Sequence, residues 1–242
     1  MQQHKLRLAG GLAGCAVLLG GCASAPPKSP DTASLGVLNV IYSTQLPDGS
    51  KLKEIPTEVT MVRRETTGKS VAMQVGLNVV MLALGGGIGF SGFSKDDLKG
   101  EKIEDAGEDR SNLQNPVISP AFLQPLQSAV NERMVQDKIG QNQSFHNPLV
   151  AGGGSARLIY DTLTGDQDPL YQLSLELVVY KHPEDGLFKS NRMVSCDQRS
   201  EPPQPLAYWN ESSYSHVRQE LNRMLADCQQ KVLAELPHLL EP

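Results

Sequence analysis

The chain is predicted to be an α+β domain: an antiparallel sheet with one central helix and a C-terminal amphipathic helix packed on it, plus a glycine-rich apolar segment. Three observations carry that expectation. Runs of alternating or β-branched residues lie on both sides of a single helical stretch. Turn compositions rich in Gly, Pro, Asn and Asp separate those runs. The C-terminal stretch repeats apolar side chains at three- and four-residue spacing, the signature of a helix with one buried stripe.

The amino end does not belong to that domain. His4, Lys5 and Arg7 supply positive charge, and Leu8–Leu19 is apolar but too short to remain as a bilayer-spanning helix, which is the layout of an export leader. At its end, Leu19, Gly20, Gly21 and Cys22 resemble the lipobox of bacterial lipoproteins: an aliphatic residue, two small residues and a cysteine. The resemblance covers the leader and its junction only. It implies cleavage before Cys22, a diacylglyceryl group on the Cys22 sulfur and a further acyl chain on its amino group. The residue after the cysteine is Ala23 rather than aspartate, and in this family that implies the outer membrane, with the protein facing the periplasm. The chemistry suits the residue, since a thiolate is readily alkylated. Each buried methylene contributes about 0.8 kcal/mol, and one chain alone anchors only marginally.

The expected organisation is therefore a leader at 1–21, a Pro- and Ser-rich tether at 22–34, and one domain at 35–242. The formal net charge of -5 becomes -7 once Lys5 and Arg7 leave with the leader. A net acidic chain with no basic block gives no support for nucleic-acid binding or for attraction to an anionic membrane surface. The lipid has to do the anchoring.

Within the domain, residues 35–43 read as a strand, followed by a turn at Leu46-Pro47-Asp48-Gly49-Ser50 and a second strand over 58–63, together an antiparallel start to the sheet. Residues 70–94 carry no charge and crowd Gly85, Gly86, Gly87, Gly89 and Gly92 at their end. Three readings stay open: a buried helix or hairpin, a self-association surface with closely packed glycines, or a membrane-entering segment. The charged stretch at 95–111 reads as a solvated loop. Ser119-Pro120 opens a helix with Leu123, Leu126, Val130 and Met134 on one side, secure from about Pro125 to Ile139, and Gly152-Gly153-Gly154 reads as a flexible join. Strands are expected over 157–163, 171–180 and 187–196; in the middle one Tyr171, Leu173, Leu175 and Leu177 face the core and Gln172, Ser174 and Glu176 face water. The last helix, capped by Ser212 or Ser213, presents Tyr214, Val217, Leu221, Met224, Leu225, Cys228 and Val232.

Cys15 leaves with the leader and Cys22 is the acylation site, so Cys196 and Cys228 remain. In an exported protein they are expected to pair, and closing a loop of about 33 residues contributes about 3 to 4 kcal/mol in the chain-entropy account. The helical stripe places Cys228 toward the sheet, where the strand ending at Cys196 can meet it.

Other candidates lack supporting context. Gly87–Gly92 fits a dinucleotide fingerprint by letters, but a charged loop follows where a helix must begin. Gly68-Lys69-Ser70 lacks the first glycine of a phosphate loop. Ser195, His182 and Asp185 form a trio on paper without a nucleophile elbow, and His146, His182, His216 and His238 share no metal-ligand spacing. Asp161, Asp166 and Asp168 can gather at a turn or bond their own backbone. No cofactor and no metal are expected. Tyr208 and Trp209, beside Pro202-Pro203-Gln204-Pro205, offer an aromatic anchor for a partner, or a plug beneath the last helix.

The function expected is non-catalytic: a lipid-anchored outer-membrane component that binds or scaffolds another envelope protein, or a second copy of itself. Its contact candidates are Gly85 and Gly89 in the uncharged stretch, with Tyr208 and Trp209. Two alternatives remain: an oligomeric pore or export component inserting 70–94 in the membrane, and an envelope hydrolase using Ser195 or His182.

Overall fold

The computed structural model describes residues 36–65, 100–140, 143–162, 168–184 and 191–241. Cys22, the tether and the 70–94 segment with Gly85 and Gly89 lie outside the described residues. In chain order the elements are β1 (Val40–Ser43), β2 (Thr60–Val62), β3 (Glu101–Lys102), α1 (Pro120–Asp137), β4 (Leu149–Tyr160), β5 (Leu170–Lys181), β6 (Arg192–Ser195), β7 (Gln198–Arg199), β8 (Gln204–Pro205), α2 (Leu206–Ala234) and the short α3 (Leu236–Leu239). Three 3-10 turns lie between β3 and α1.

The α+β class is as the sequence indicates, with one mixed sheet ordered β3-β2-β4-β5-β6, β1 added on β4, and β7 and β8 added on β5. The antiparallel start is not: β1 and β2 do not pair with each other, and both run parallel to β4, β1 against Leu149–Gly152 and β2 against Arg157–Ile159. The cause is the turn between them. Leu46 N–H donates to Ser50 O and Leu52 N–H to Thr44 O, at 2.8 and 2.9 Å. The excursion closes on itself, and the chain resumes its earlier direction along the same edge of β4.

Gly152–Gly154 is not a join but the interior of β4, where a β-bulge falls between Gly153 and Ser155. Gly153 and Gly154 hold φ of 80° and 76°, open to glycine at little cost. A Cβ on Gly154 would lie 2.6 Å from Val117 Cγ1. This close approach lets Asn115 Nδ2 donate to both Gly154 O and Pro56 O, at 2.6 and 2.7 Å. The bulge is thus where β1 hands over to β2.

The second half of the charged stretch is folded rather than a solvated loop. Glu101–Lys102 pairs with β2, and Ile103 and Ala106 are buried among the charges. Arg110 donates to Glu58 at 2.7 Å and to Ile103 O at 2.8 Å, tying the segment to the strand edge.

Helix α1 starts one turn earlier than expected. Ser119 accepts from Ala121 N–H, Pro120 takes the first position, and the helix continues through Pro125. Its buried stripe is Phe122, Leu126, Val130 and Met134, with Leu123 only partly covered. From its side, Asn131 bonds both Leu38 N–H and O, and Gln127 accepts from Val40 N–H, so two side-chain amides satisfy the outer edge of β1. Helix α2 buries Val217, Leu221, Met224, Leu225, Cys228 and Val232. Both stripes join the core formed by Leu149, Ala151, Ala156 and Leu158 of β4 with Tyr171, Leu173, Leu175, Leu177 and Val179 of β5. On β5 the expected inward set is borne out, but the opposite face is less wet than expected, with Ser174 and Tyr180 also buried.

Candidate functional site

The last strands deliver the chain to α2 through two junctions. At the first, Cys196 N–H continues the β5 ladder by donating to Leu177 O at 2.7 Å. Cys228 meets it from the helix, Cα to Cα 5.2 Å, and the expected disulfide is formed. Both cysteines are buried. Lys231 Nζ donates to Ser195 O at 2.6 Å and Gln198 Nε2 to Met224 O at 2.8 Å on either side of it.

The second junction is the aromatic corner. Trp209 is buried and its indole N–H donates to Tyr171 O at 3.0 Å, so it plugs the core beneath α2 and is not available as a surface anchor. Tyr208 stays 39% exposed. Its ring stacks on His216 with centroids 4.0 Å apart and meets Trp209 edge-on at 5.3 Å. His216 Nε2 lies 3.4 Å from a Glu211 carboxylate oxygen.

Between Tyr208 and His216 the helix breaks. Ser212, Ser213 and Tyr214 hold φ of 48°, 54° and 65°, so the two serines read as caps instead sit in a left-handed turn. Non-glycine residues resist this conformation by about 1 to 2 kcal/mol each. The surrounding contacts offset it: the Tyr214 hydroxyl donates to Asp105 at 2.8 Å and Asn112 Nδ2 donates to Ser213 O at 3.0 Å. Arg218 closes the exposed carbonyls of Ser111 and Gln114. Burial first, and then the Asp105 carboxylate, push the Tyr214 phenol far above its usual range and keep it neutral.

Two carboxylates, Glu58 and Glu184, are held ionised with the help of a paired cation. Arg110, hydrogen-bonded to Glu58, holds its carboxyl below the usual range. Burial raises Glu184, but the Lys181 ammonium and the backbone N–H groups of His146 and Asn147 outweigh it and leave the carboxyl lowered. Lys181 is itself buried and lies 5.5 Å over the Phe145 ring, so this pair fastens the 143–147 loop to the end of β5.

Ser195 and His182 of the paper trio do not come together. Ser195 Oγ donates to Asp197 at 2.7 Å, and His182 Nδ1 lies 2.7 Å from Asn191 Oδ1. Ser195 pairs opposite Val178, four residues along the chain from His182, or about 13 Å at the usual strand rise. Asp185 and Asp166 lie outside the described residues. Among the described residues no group of three or more His, Cys, Asp or Glu could hold a metal ion, and no helix is long and apolar enough to cross a membrane.

The left-handed turn and the His216–Glu211 contact around Tyr208 were missed by sequence reasoning. Nothing in Ser212-Ser213-Tyr214 signals such a backbone, because glycine is absent. His216, two turns from Tyr208 by helical counting, was read only as one of four scattered histidines. No family model matches the chain, and comparison with characterised proteins and with solved structures finds no match to either.

Proposed function

We propose that this chain is a lipid-anchored lipoprotein of the outer membrane, facing the periplasm, with a non-catalytic role: binding or scaffolding another envelope protein or a second copy of itself. The observation that carries the reading is Leu19-Gly20-Gly21-Cys22 at the end of a charged-then-apolar leader. The cystine between Cys196 and Cys228 supports it, because buried disulfides persist in oxidising compartments. Ser195 bonds Asp197 and His182 bonds Asn191, so these two side chains do not form the nucleophile and base pair of the hydrolase alternative.

The contact region of this reading is the uncharged stretch from Ser70 to Phe93, with Tyr208 as an exposed aromatic beside it in role rather than in sequence. Chemical crosslinking in intact cells, followed by purification of the chain, tests it. The reading expects an envelope protein or a second copy bound to the parent and lost when residues 70–94 are deleted. Equal recovery with the deleted form would remove the stretch from the role, and recovery of the chain without any envelope component would remove the scaffold.

A further inference from the structure

We infer that Met193 is a site of reversible oxidation, at which a hydroperoxide converts the thioether to a sulfoxide while the fold stays intact. Seven methionines stand in the chain. Of the four among the described residues, Met61, Met134 and Met224 are buried, each 1% exposed or less, and Met193 is 59% exposed. The other sulfurs of the described residues are those of Cys196 and Cys228, which are buried and already oxidised against each other. Among the described residues Met193 is therefore the one reduced sulfur that a solute can reach.

Its place in the sheet explains the exposure. β6 is the last strand in the sheet order, and Met193 lies opposite Tyr180 of β5. Cys196 N–H donates to Leu177 O, and hydrogen-bonded pairs alternate along an antiparallel ladder, so Val194 and Val179 bond each other while the Met193 main chain turns to the outer edge. Side chains alternate too. Val194 points into the core, and Met193 with Ser195 points to the face opposite the two long helices. The hairpin at 45–51 is held on that face by Tyr180 and Asn191, which donate to Gln45 O and Pro47 O at 3.0 and 2.6 Å, and it leaves Met193 in solvent.

The chemistry needs access and little else. A lone pair of the Met193 sulfur attacks the terminal oxygen of the hydroperoxide, the S–O bond forms and the O–O bond breaks. The attacked oxygen gives its proton to solvent and the leaving oxygen takes one up, so it departs as water or, from an organic hydroperoxide, as an alcohol. The sulfur loses two electrons and the peroxide gains them. A buried thioether reacts only through openings of the core, so Met61, Met134 and Met224 are shielded by the stability of the domain. The product is tolerated where it forms, because β6 is held by main-chain pairing with β5, by Lys231 Nζ on Ser195 O at 2.6 Å and by Arg192 on Glu241 at 2.9 Å, none of which uses the sulfur. What changes is the surface: one apolar member of the row Ile41, Val150, Tyr180 and Met193 becomes polar. The exposure that admits the oxidant also admits a sulfoxide reductase, which makes the change reversible.

This inference goes beyond the proposed function and depends on neither the lipid anchor nor an envelope partner. The test exposes the full chain, with the Cys196–Cys228 bond intact, to hydrogen peroxide in buffer and in urea, quenches with catalase over a time course, and maps methionine oxidation by mass spectrometry of peptides. The expected result in buffer is a Met193 sulfoxide that forms at least about ten times faster than sulfoxide at Met61, Met134 or Met224, with the rates converging in urea. Circular dichroism and cystine content of the chain oxidised at Met193 are expected to match the parent, and a pair of methionine sulfoxide reductases, one per sulfoxide epimer, is expected to restore the thioether in the folded chain. Oxidation of Met193 in buffer at the rate of the three buried methionines, loss of the folded signal as Met193 oxidises, or a sulfoxide that the reductases reduce only after unfolding would overturn it. Chain without an acyl group at Cys22 is expected to give the same rates, so failure of the anchor and failure of this inference are told apart.

Discussion

The two faces of the sheet are closed by different means. Under α1 and α2 the face is a continuous apolar layer in which Trp209, Leu221, Met224 and Cys228 meet Tyr171, Leu173, Leu175 and Leu177. The opposite face mixes Val62 and Ile159 with Arg157, Ser174 and Glu176, and leaves Ile41 and Met193 at its margins in water. The helix face is secured by area and shape. The other carries the 45–51 hairpin over part of its width, through Tyr180 to Gln45 O and Asn191 to Pro47 O. Stability resides in the first face, and the second is where sequence can be spent on contacts.

The largest effect expected on this contrast comes from Trp209→Ala, which removes a buried ring and leaves the Tyr171 carbonyl without its donor, costing about 4 kcal/mol. Met193→Ala on the other face is expected to change stability by less than about 0.5 kcal/mol. Urea unfolding of the two variants with the disulfide intact measures both, and equal losses would erase the distinction.

Next in size is Gly154→Ala, at the bulge where β1 gives way to β2. The new methyl would stand 2.6 Å from Val117 Cγ1 with φ at +76°, a cost of about 2 to 3 kcal/mol. Adding Val117→Ala should return the steric part and not the backbone part, a coupling that a double-mutant cycle reads directly.

Smaller is the edge pair. Glu58→Gln should cost about 1 kcal/mol at neutral pH, because the Arg110 fork loses its carboxylate. Glu58 titrates lower folded than unfolded, so its contribution is complete above the ordinary glutamate value and is lost as pH falls through the lowered folded one. The gap between parent and variant is therefore expected to narrow in acid and not in alkali. The least is Ser213→Gly in the left-handed turn, where φ is 54°, expected to raise stability by about 0.5 kcal/mol.

What could be read from the letters follows from how local each cause is. The Tyr171–Val179 alternation, the α2 stripe and the meeting of Cys228 with Cys196 depend on spacing within one element, and spacing is visible. Parallel pairing of β1 and β2 with β4 depends on a hairpin that returns the chain to its own path, which composition does not reveal. Gly152–Gly154 looked like a linker because glycine marks both freedom and close approach, and only the Val117 and Tyr180 contacts decide between them. Ile103 and Ala106 were hidden by the charge around them. At the aromatic corner the indole's burial was one of two readings left open, whereas the stacking of Tyr208 on His216 required a break in the helix that no residue type announces.

The central claim is the anchor at Cys22, and intact-mass analysis of the amino-terminal peptide from membrane-extracted protein tests it most directly. The account predicts a peptide that begins at Cys22, carries a diacylglyceryl group on sulfur and an acyl chain on nitrogen, and is absent from a Cys22→Ala form. A mature protein beginning at any other residue, or a Cys22 thiol without lipid, would contradict it.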